Sequence, residues 1–105
     1  MCKYIEQAGE FHRYAGPREM YGFVILKAIP ANHFSFKSSI NWPPDMSAEI
    51  YDRAVYKGIE RALDEVNVNT GDFELIEISL SDNYDANVAF AFGEASYIAA
   101  KKNSK

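Results

Sequence analysis

The sequence contains a single cysteine, Cys2, in 105 residues. One cysteine cannot form an intramolecular disulfide, and a thiol beside the first residue is expected to be incidental. No apolar run approaches the roughly 20 residues that a membrane-spanning helix needs. The first residues, MCKYIEQAGE, lack the apolar segment of a secretory signal. These absences predict a cytoplasmic protein with no membrane partner.

Cations are also scarce, because 11 Lys and Arg residues face 15 Asp and Glu residues, which gives a net charge of −4. Proteins that bind nucleic acid through its phosphates usually carry a basic excess, since each neutralised phosphate needs a cation. We therefore expect any RNA contact to be local or to be supported by a partner.

The common motifs of catalysis and cofactor binding are missing. There is no Gly-x-x-x-x-Gly-Lys-Ser/Thr phosphate loop, and no serine lies in a Gly-x-Ser-x-Gly elbow. His12 and His33 belong to no HxH, HExxH or Cys/His cluster, so we interpret them as surface residues. The acidic pairs 64–65 and Asp82 with Asp85 fit a helix end and a turn better than an acid–base pair. We predict no catalytic, cofactor-binding or metal-ligating residue and no cofactor.

The remaining composition predicts one globular domain over residues 1–105, since 48% of the residues are hydrophobic and 14% are aromatic. Residues 101–105 are expected to form a polar tail. Apolar alternation and turn residues predict strands over residues 3–14, 21–29, 33–38 and 73–80. Gly16 and Gly22 are interpreted as turn glycines. Phe73 and Leu75 differ in parity from Ile76 and Ile78, which predicts a β-bulge or a strand covered on both faces.

Two amphipathic patterns predict helices. The first begins at a cap formed by Ser47 or Asp45. Its apolar stripe consists of Tyr51, Val55, Ile59, Ala62 and Val66. The second stripe consists of Val88, Phe92, Ala95 and Ala99. The order β-β-β-α-β-α predicts an α+β sandwich with both helices on one face of the sheet.

Read in order, these segments resemble domain IV of the translation elongation factor G family. The stretch 12–22, HRYAGPREMYG, is similar to the basic, glycine-rich hairpin of that family. The matching residues are Arg13, Gly16, Arg18, Tyr21 and Gly22, and the residues that depart are Tyr14, Pro17, Glu19 and Met20. Further similarities cover nearly the whole chain and lie at Phe34, Phe36, Pro44, residues 54–59, Leu80 and residues 89–90.

The resemblance implies a two-layer sandwich with a left-handed βαβ crossover, a fold shared with domain two of small-subunit ribosomal protein S five. It also implies a free-standing domain that is associated with translation and the ribosome. One segment departs from the family, whose corresponding loop is long and carries a histidine and serines at the tip of the arm. Here that loop is only residues 81–87, SDNYDAN, so the scaffold is retained and the tip is altered.

Two predicted tips are the candidate binding regions. Their residues are Arg13, Tyr14, Gly16, Arg18, Asp82, Asn83, Tyr84 and Asp85. Under the ribosomal hypothesis the arginines pair phosphates, the tyrosines stack or pack, and the acidic and amide side chains set specificity. The competing interpretation is a solvated hairpin, which Glu19 beside Arg18 favours.

The expected partner is the ribosome or RNA. The alternative is a protein–protein interaction module that kept the fold without a ribosomal role, and a small enzyme on the same fold is the third hypothesis. Polar residues on the first helix favour a monomer or a weak homodimer. They are Ser47, Glu49, Asp52, Arg53, Glu60 and Arg61.

Overall fold

The computed structural model describes residues 5–103. Its strands are β1 (Ile5–Ala15), β2 (Arg18–Ile29), β3 (Phe34–Ser38) and β4 (Gly71–Ser79). Its helices are α1 (Ala48–Glu65) and α2 (Ala89–Asn103), and a 3₁₀ turn spans Tyr84–Ala86. The predicted order β-β-β-α-β-α and the mixed α+β class are therefore confirmed.

The four strands form one sheet in the order β1-β2-β4-β3. β1 pairs with β2 and β2 with β4 in antiparallel fashion, whereas β3 runs parallel to β4. Helix α1 connects the two parallel strands, and the left hand expected for this crossover stays a prediction. Both helices cover one face, with α2 over β1 and β2, and α1 near β3, where Tyr56 stacks on Phe34. The other side is called the open face below.

A β-bulge interrupts β4, as the change of parity predicted. Ile25 of β2 lies opposite Glu77, and the next residue, Leu26, lies opposite Leu75. Ile76 is therefore the extra residue of the bulge. Because of this insertion, Leu75 before the bulge and Ile78 after it both contribute to the core on the helix side.

Helix α1 begins at Ser47, whose side chain accepts a hydrogen bond from the Ile50 backbone nitrogen. This confirms one of the two predicted caps. Val55, Ile59 and Ala62 are fully buried, in agreement with the predicted stripe. Val66 is exposed, because the helix ends at Glu65 and Val66 is its C-cap residue.

Helix α2 packs on the sheet through glycine and alanine residues. A Cβ atom on Gly9 would lie 2.0 Å from the Ala95 carbonyl oxygen, and one on Gly22 would lie 2.7 Å from the Ala91 carbonyl carbon. The interpretation of Gly22 as a turn glycine is wrong, because Gly22 lies inside β2, where only a hydrogen atom fits beneath the helix. Gly16 does lie in the turn.

The residues expected to start a polar tail form the last turn of α2. Lys101 Nζ lies 2.9 Å from Glu65 Oε1, and Lys102 Nζ lies 2.7 Å from the Ala8 carbonyl oxygen. These contacts attach the helix end to α1 and to β1. Cys2 and the first two residues of the predicted first strand lie outside the described residues. Within residues 5–103, no helix has the length and apolar character needed to cross a membrane.

Candidate functional site

The β1–β2 hairpin projects beyond the rest of the sheet. The last pair between β2 and β4 is Phe23 with Ser79, so residues 18–22 of β2 pair with β1 alone. The strands are joined by a two-residue connection in which Gly16 has a φ of +65°. A positive φ at the first central position is the requirement of a type II′ hairpin turn, which glycine meets without steric cost. The predicted tip residue Gly16 therefore sets the turn.

The hairpin has two chemically different sides, because cross-strand partners share a face of the sheet. Tyr14 pairs with Glu19 on the open face. Arg13 lies on the helix side, where its guanidinium carbon is 5.3 Å from the Phe11 ring centroid. Arg18 pairs with Ala15 and shares the side of Arg13. The structure thus separates the two arginines from Tyr14.

On the open face, three side chains converge on the carboxylate of Glu19. His12 Nε2 lies 2.6 Å from Glu19 Oε2, and the Tyr14 hydroxyl donates to the same oxygen over 3.4 Å. Asn83 Nδ2 donates to the other oxygen, Oε1, over 3.1 Å. Glu19 therefore joins the hairpin to the loop 81–87. We call Glu19 with these three partners the Glu19 cluster.

The cluster favours the charged form of Glu19. The hydrogen bond from Asn83 and then that from His12 hold the pKa of Glu19 below its ordinary value. Only 17% of its side-chain surface is exposed, although it lies near the end of a projecting hairpin. In the sequence, Glu19 was noted as a departure from the family's hairpin and as a charge beside Arg18, and not as a binding residue. A two-residue turn at Gly16 and Pro17 implies that Glu19 lies opposite Tyr14, so that contact could have been predicted from the sequence. The contact with Asn83 could not, because no local pattern brings the loop 81–87 to the hairpin.

The loop 81–87 is held in shape by Asn87, a buried residue that sequence reasoning missed as part of the site. Its side-chain oxygen accepts from the Ser81 backbone nitrogen at 2.7 Å, and its amide nitrogen donates to the Ser81 carbonyl at 3.3 Å. The Tyr51 hydroxyl donates to the Asn87 carbonyl oxygen at 2.5 Å. These bonds close the loop and leave Asp82 and Asp85 exposed on it.

Tyr84 points toward a different part of the molecule from Tyr14. Its hydroxyl hydrogen-bonds the carboxylate of Asp45, which raises the pKa of Tyr84 above its ordinary value. The residue is 56% exposed, and Tyr14 is 67% exposed. Both rings therefore offer surface to a ligand. The predicted tip residues form no single cluster, since Tyr14 and Asn83 meet at Glu19 while Tyr84 contacts Asp45.

A separate groove of about 280 Å³ runs between the two helices. Its lining residues are Ala54, Lys57, Gly58, Arg61, Phe90, Gly93 and Glu94. Arg61 donates to both carboxylate oxygens of Glu94, at 3.0 and 3.1 Å, which leaves Lys57 and the 54% exposed Phe90 on the rim. Across residues 5–103, no group of His, Cys, Asp and Glu side chains has the arrangement of a metal site.

Comparison with solved structures finds a likeness of fold. No protein-family model matches the chain, and no curated protein matches it. The fold is similar to part of the crystal structure of a protein from Thermus thermophilus, with a TM-score of 0.79 and 25% sequence identity. The likeness covers 95% of this chain and 15% of that protein. That protein carries no functional name, so the resemblance to elongation factor G domain IV stays a prediction.

Proposed function

We propose that this chain is a non-catalytic domain of the cytoplasm that binds ribosomal RNA through its projecting hairpin. The observation that carries the proposal is the extension of the hairpin past β4, with Arg13 and Arg18 on one side and exposed Tyr14 on the other. The resemblance to elongation factor G domain IV supports the same function, because that domain is the arm that reaches the decoding site.

The hairpin can contact RNA locally despite the net charge of −4. Arginine pairs phosphate oxygens with two N–H donors at once, and the Arg13 guanidinium, which lies over the Phe11 ring, keeps these donors when it stacks on an aromatic face. The exposed ring of Tyr14 offers a face on which an unpaired base can stack. Exposed Asp82 and Asp85 can accept hydrogen bonds from base edges. Their negative charges repel phosphate, so the loop is expected to contact bases and not the RNA backbone.

Co-sedimentation with ribosomes and with isolated small subunits, at low and moderate salt, tests the proposal. We expect salt-sensitive association that Arg13→Ala combined with Arg18→Ala largely removes. The matched control is Lys37→Ala combined with Arg53→Ala, which removes the same charge from β3 and from the exposed face of α1. Absence of association at every salt concentration, or equal loss in both double variants, would contradict the proposal.

A protein–protein interaction module is the second candidate function, and the groove between the helices favours it. Phe90 is exposed beside Lys57, which is a pairing of apolar and charged surface that suits a polypeptide partner. Because this candidate has no ribosomal role, it predicts no co-sedimentation with ribosomes, and it predicts that Phe90→Ser weakens binding of the protein partner while the hairpin double variant leaves that binding unchanged. Ribosome binding that the hairpin double variant removes would favour the hairpin instead.

A further inference from the structure

The Glu19 cluster has the composition of an anion site that is already filled. Three donors from two elements, an imidazole, a phenol and a side-chain amide, point at one carboxylate, at distances between 2.6 and 3.4 Å. The two oxygens of Glu19 are used separately, since Oε2 faces His12 and Tyr14 while Oε1 faces Asn83. The anion in this site is therefore supplied by the chain itself.

The same donors suit a phosphate group. Phosphate and carboxylate oxygens accept the same hydrogen bonds, and a phosphodiester presents two unesterified oxygens as Glu19 does. Displacing Glu19 leaves β4 undisturbed, because Glu19 lies on the end of β2 that pairs with β1 alone. We propose that the donors of the Glu19 cluster form a phosphate-binding site and that Glu19 is its internal competitor.

This inference rests on the proposed function only for the source of the phosphate, which is then the RNA backbone. It gives Glu19 a defined effect. While the carboxylate occupies the donors, the open face of the hairpin repels phosphate, and a strand of RNA gains this contact only by displacing Glu19. Arg13 and Arg18 therefore make the main contacts with RNA, and the donors of the open face add a contact only after Glu19 is displaced.

Glu10 provides a matched control for the loss of charge. It lies on the same face of β1 as His12, and its carboxylate accepts one hydrogen bond, from the Tyr21 hydroxyl at 3.0 Å. Glu10→Gln and Glu19→Gln change the net charge equally. A difference between them therefore reports the convergence of donors at Glu19 and not the general charge of the hairpin.

The first experiment titrates inorganic phosphate into ¹⁵N-labelled protein and follows the His12 and Asn83 signals by NMR. Glu19→Ala is expected to bind phosphate roughly tenfold more tightly than the unchanged protein or Glu10→Gln, since a neighbouring charge is removed and its donors are freed. Adding His12→Ala to Glu19→Ala is expected to abolish the gain. Glu19→Gln removes the charge and keeps a side-chain oxygen that can accept from Asn83. It therefore separates the loss of charge from any loosening of the loop 81–87 in Glu19→Ala. Equal phosphate affinity in all these proteins would overturn the inference.

The second experiment measures binding of a single-stranded uridine hexanucleotide by fluorescence anisotropy. We expect Glu19→Gln to bind about tenfold more tightly than Glu10→Gln. Phosphate binding by Glu19→Ala without any RNA binding would keep the anion site and reject the RNA function. RNA binding that requires Arg13 and Arg18 but does not tighten in Glu19→Gln would keep the function and reject the internal competitor.

Discussion

Gly58 of α1 lies against Gly93 of α2 so closely that a Cβ atom on Gly58 would be 2.2 Å from the Gly93 carbonyl oxygen. The two helices therefore meet backbone to backbone at this point. Val55 and Ile59 on the same helix are fully buried, and both glycines also line the groove between the helices. Interiors packed to this density respond to the addition of a single methyl group.

Gly58→Ala is expected to lower the free energy of unfolding by about 2–3 kcal/mol, because the added methyl group forces the helices apart. Urea denaturation followed by circular dichroism measures the change. Gly16→Ala is the control, since its Cβ meets no atom within 4 Å and only the φ of +65° is unfavourable. That change is expected to cost about 1 kcal/mol. Equal losses in the two variants would show that the helix contact can relax.

The hydrogen bonds that close the loop 81–87 predict that two asparagines differ in their contribution to stability. Asn87→Ala removes the two bonds to Ser81 from a buried position and is expected to cost about 1–3 kcal/mol. Asn83→Ala removes one bond at the exposed end of the loop and is expected to cost less than about 1 kcal/mol. Hydrogen exchange of the Ser81 backbone amide should quicken in Asn87→Ala and change little in Asn83→Ala. The reverse order would contradict the role given to Asn87.

The cap at Ser47 predicts a local effect on α1. Ser47→Ala should destabilise the protein by about 1 kcal/mol, since the Ile50 backbone N–H loses its acceptor. Ser47→Asp should retain most of the stability, because aspartate also caps helices and its charge is favourable at an N-terminus. Thermal unfolding of the three proteins measures the ranking. An aspartate variant no more stable than the alanine variant would show that the side-chain bond contributes little.

The lowered pKa of Glu19 predicts a pH dependence with a definite sign. A carboxylate whose pKa is lower in the folded state stabilises the protein above its ordinary value of 4.5, and this contribution is lost as the pH falls through the folded-state pKa. The unchanged protein should therefore exceed Glu19→Gln in stability at neutral pH, and the difference should disappear once the pH is below the folded-state pKa of Glu19. A difference that persists unchanged in acid would contradict the charged hydrogen bonds from Asn83 and His12.

Local patterns in the sequence were enough to predict the order of the strands and helices and to point to one irregularity, in β4. The reversed parity of Phe73 and Leu75 predicted a bulge or a strand covered on both faces, and the structure shows the bulge, because side chains on one strand must alternate unless a residue is inserted. The cap at Ser47 and the stripe through Val55 and Ile59 were visible for the same reason, since each depends on neighbours in the chain.

Contacts between distant segments were not predictable in this way. Gly22 has the appearance of a turn glycine, and only the position of Ala91 above it explains why no side chain fits. Glu19 and Asn83 meet because β2 pairs with β4, whose end delivers the loop 81–87 to the hairpin. Nothing in the spacing of either residue indicates the other.

The salt dependence of small-subunit binding is the most direct test of the central claim. The slope of log K against log salt concentration counts the phosphates that the protein neutralises. We predict that Arg13→Ala and Arg18→Ala each reduce the magnitude of this slope by about 1, and that Lys37→Ala leaves it unchanged. An unchanged slope in both arginine variants would show that the hairpin does not bind RNA, and would favour a protein partner at the helix groove.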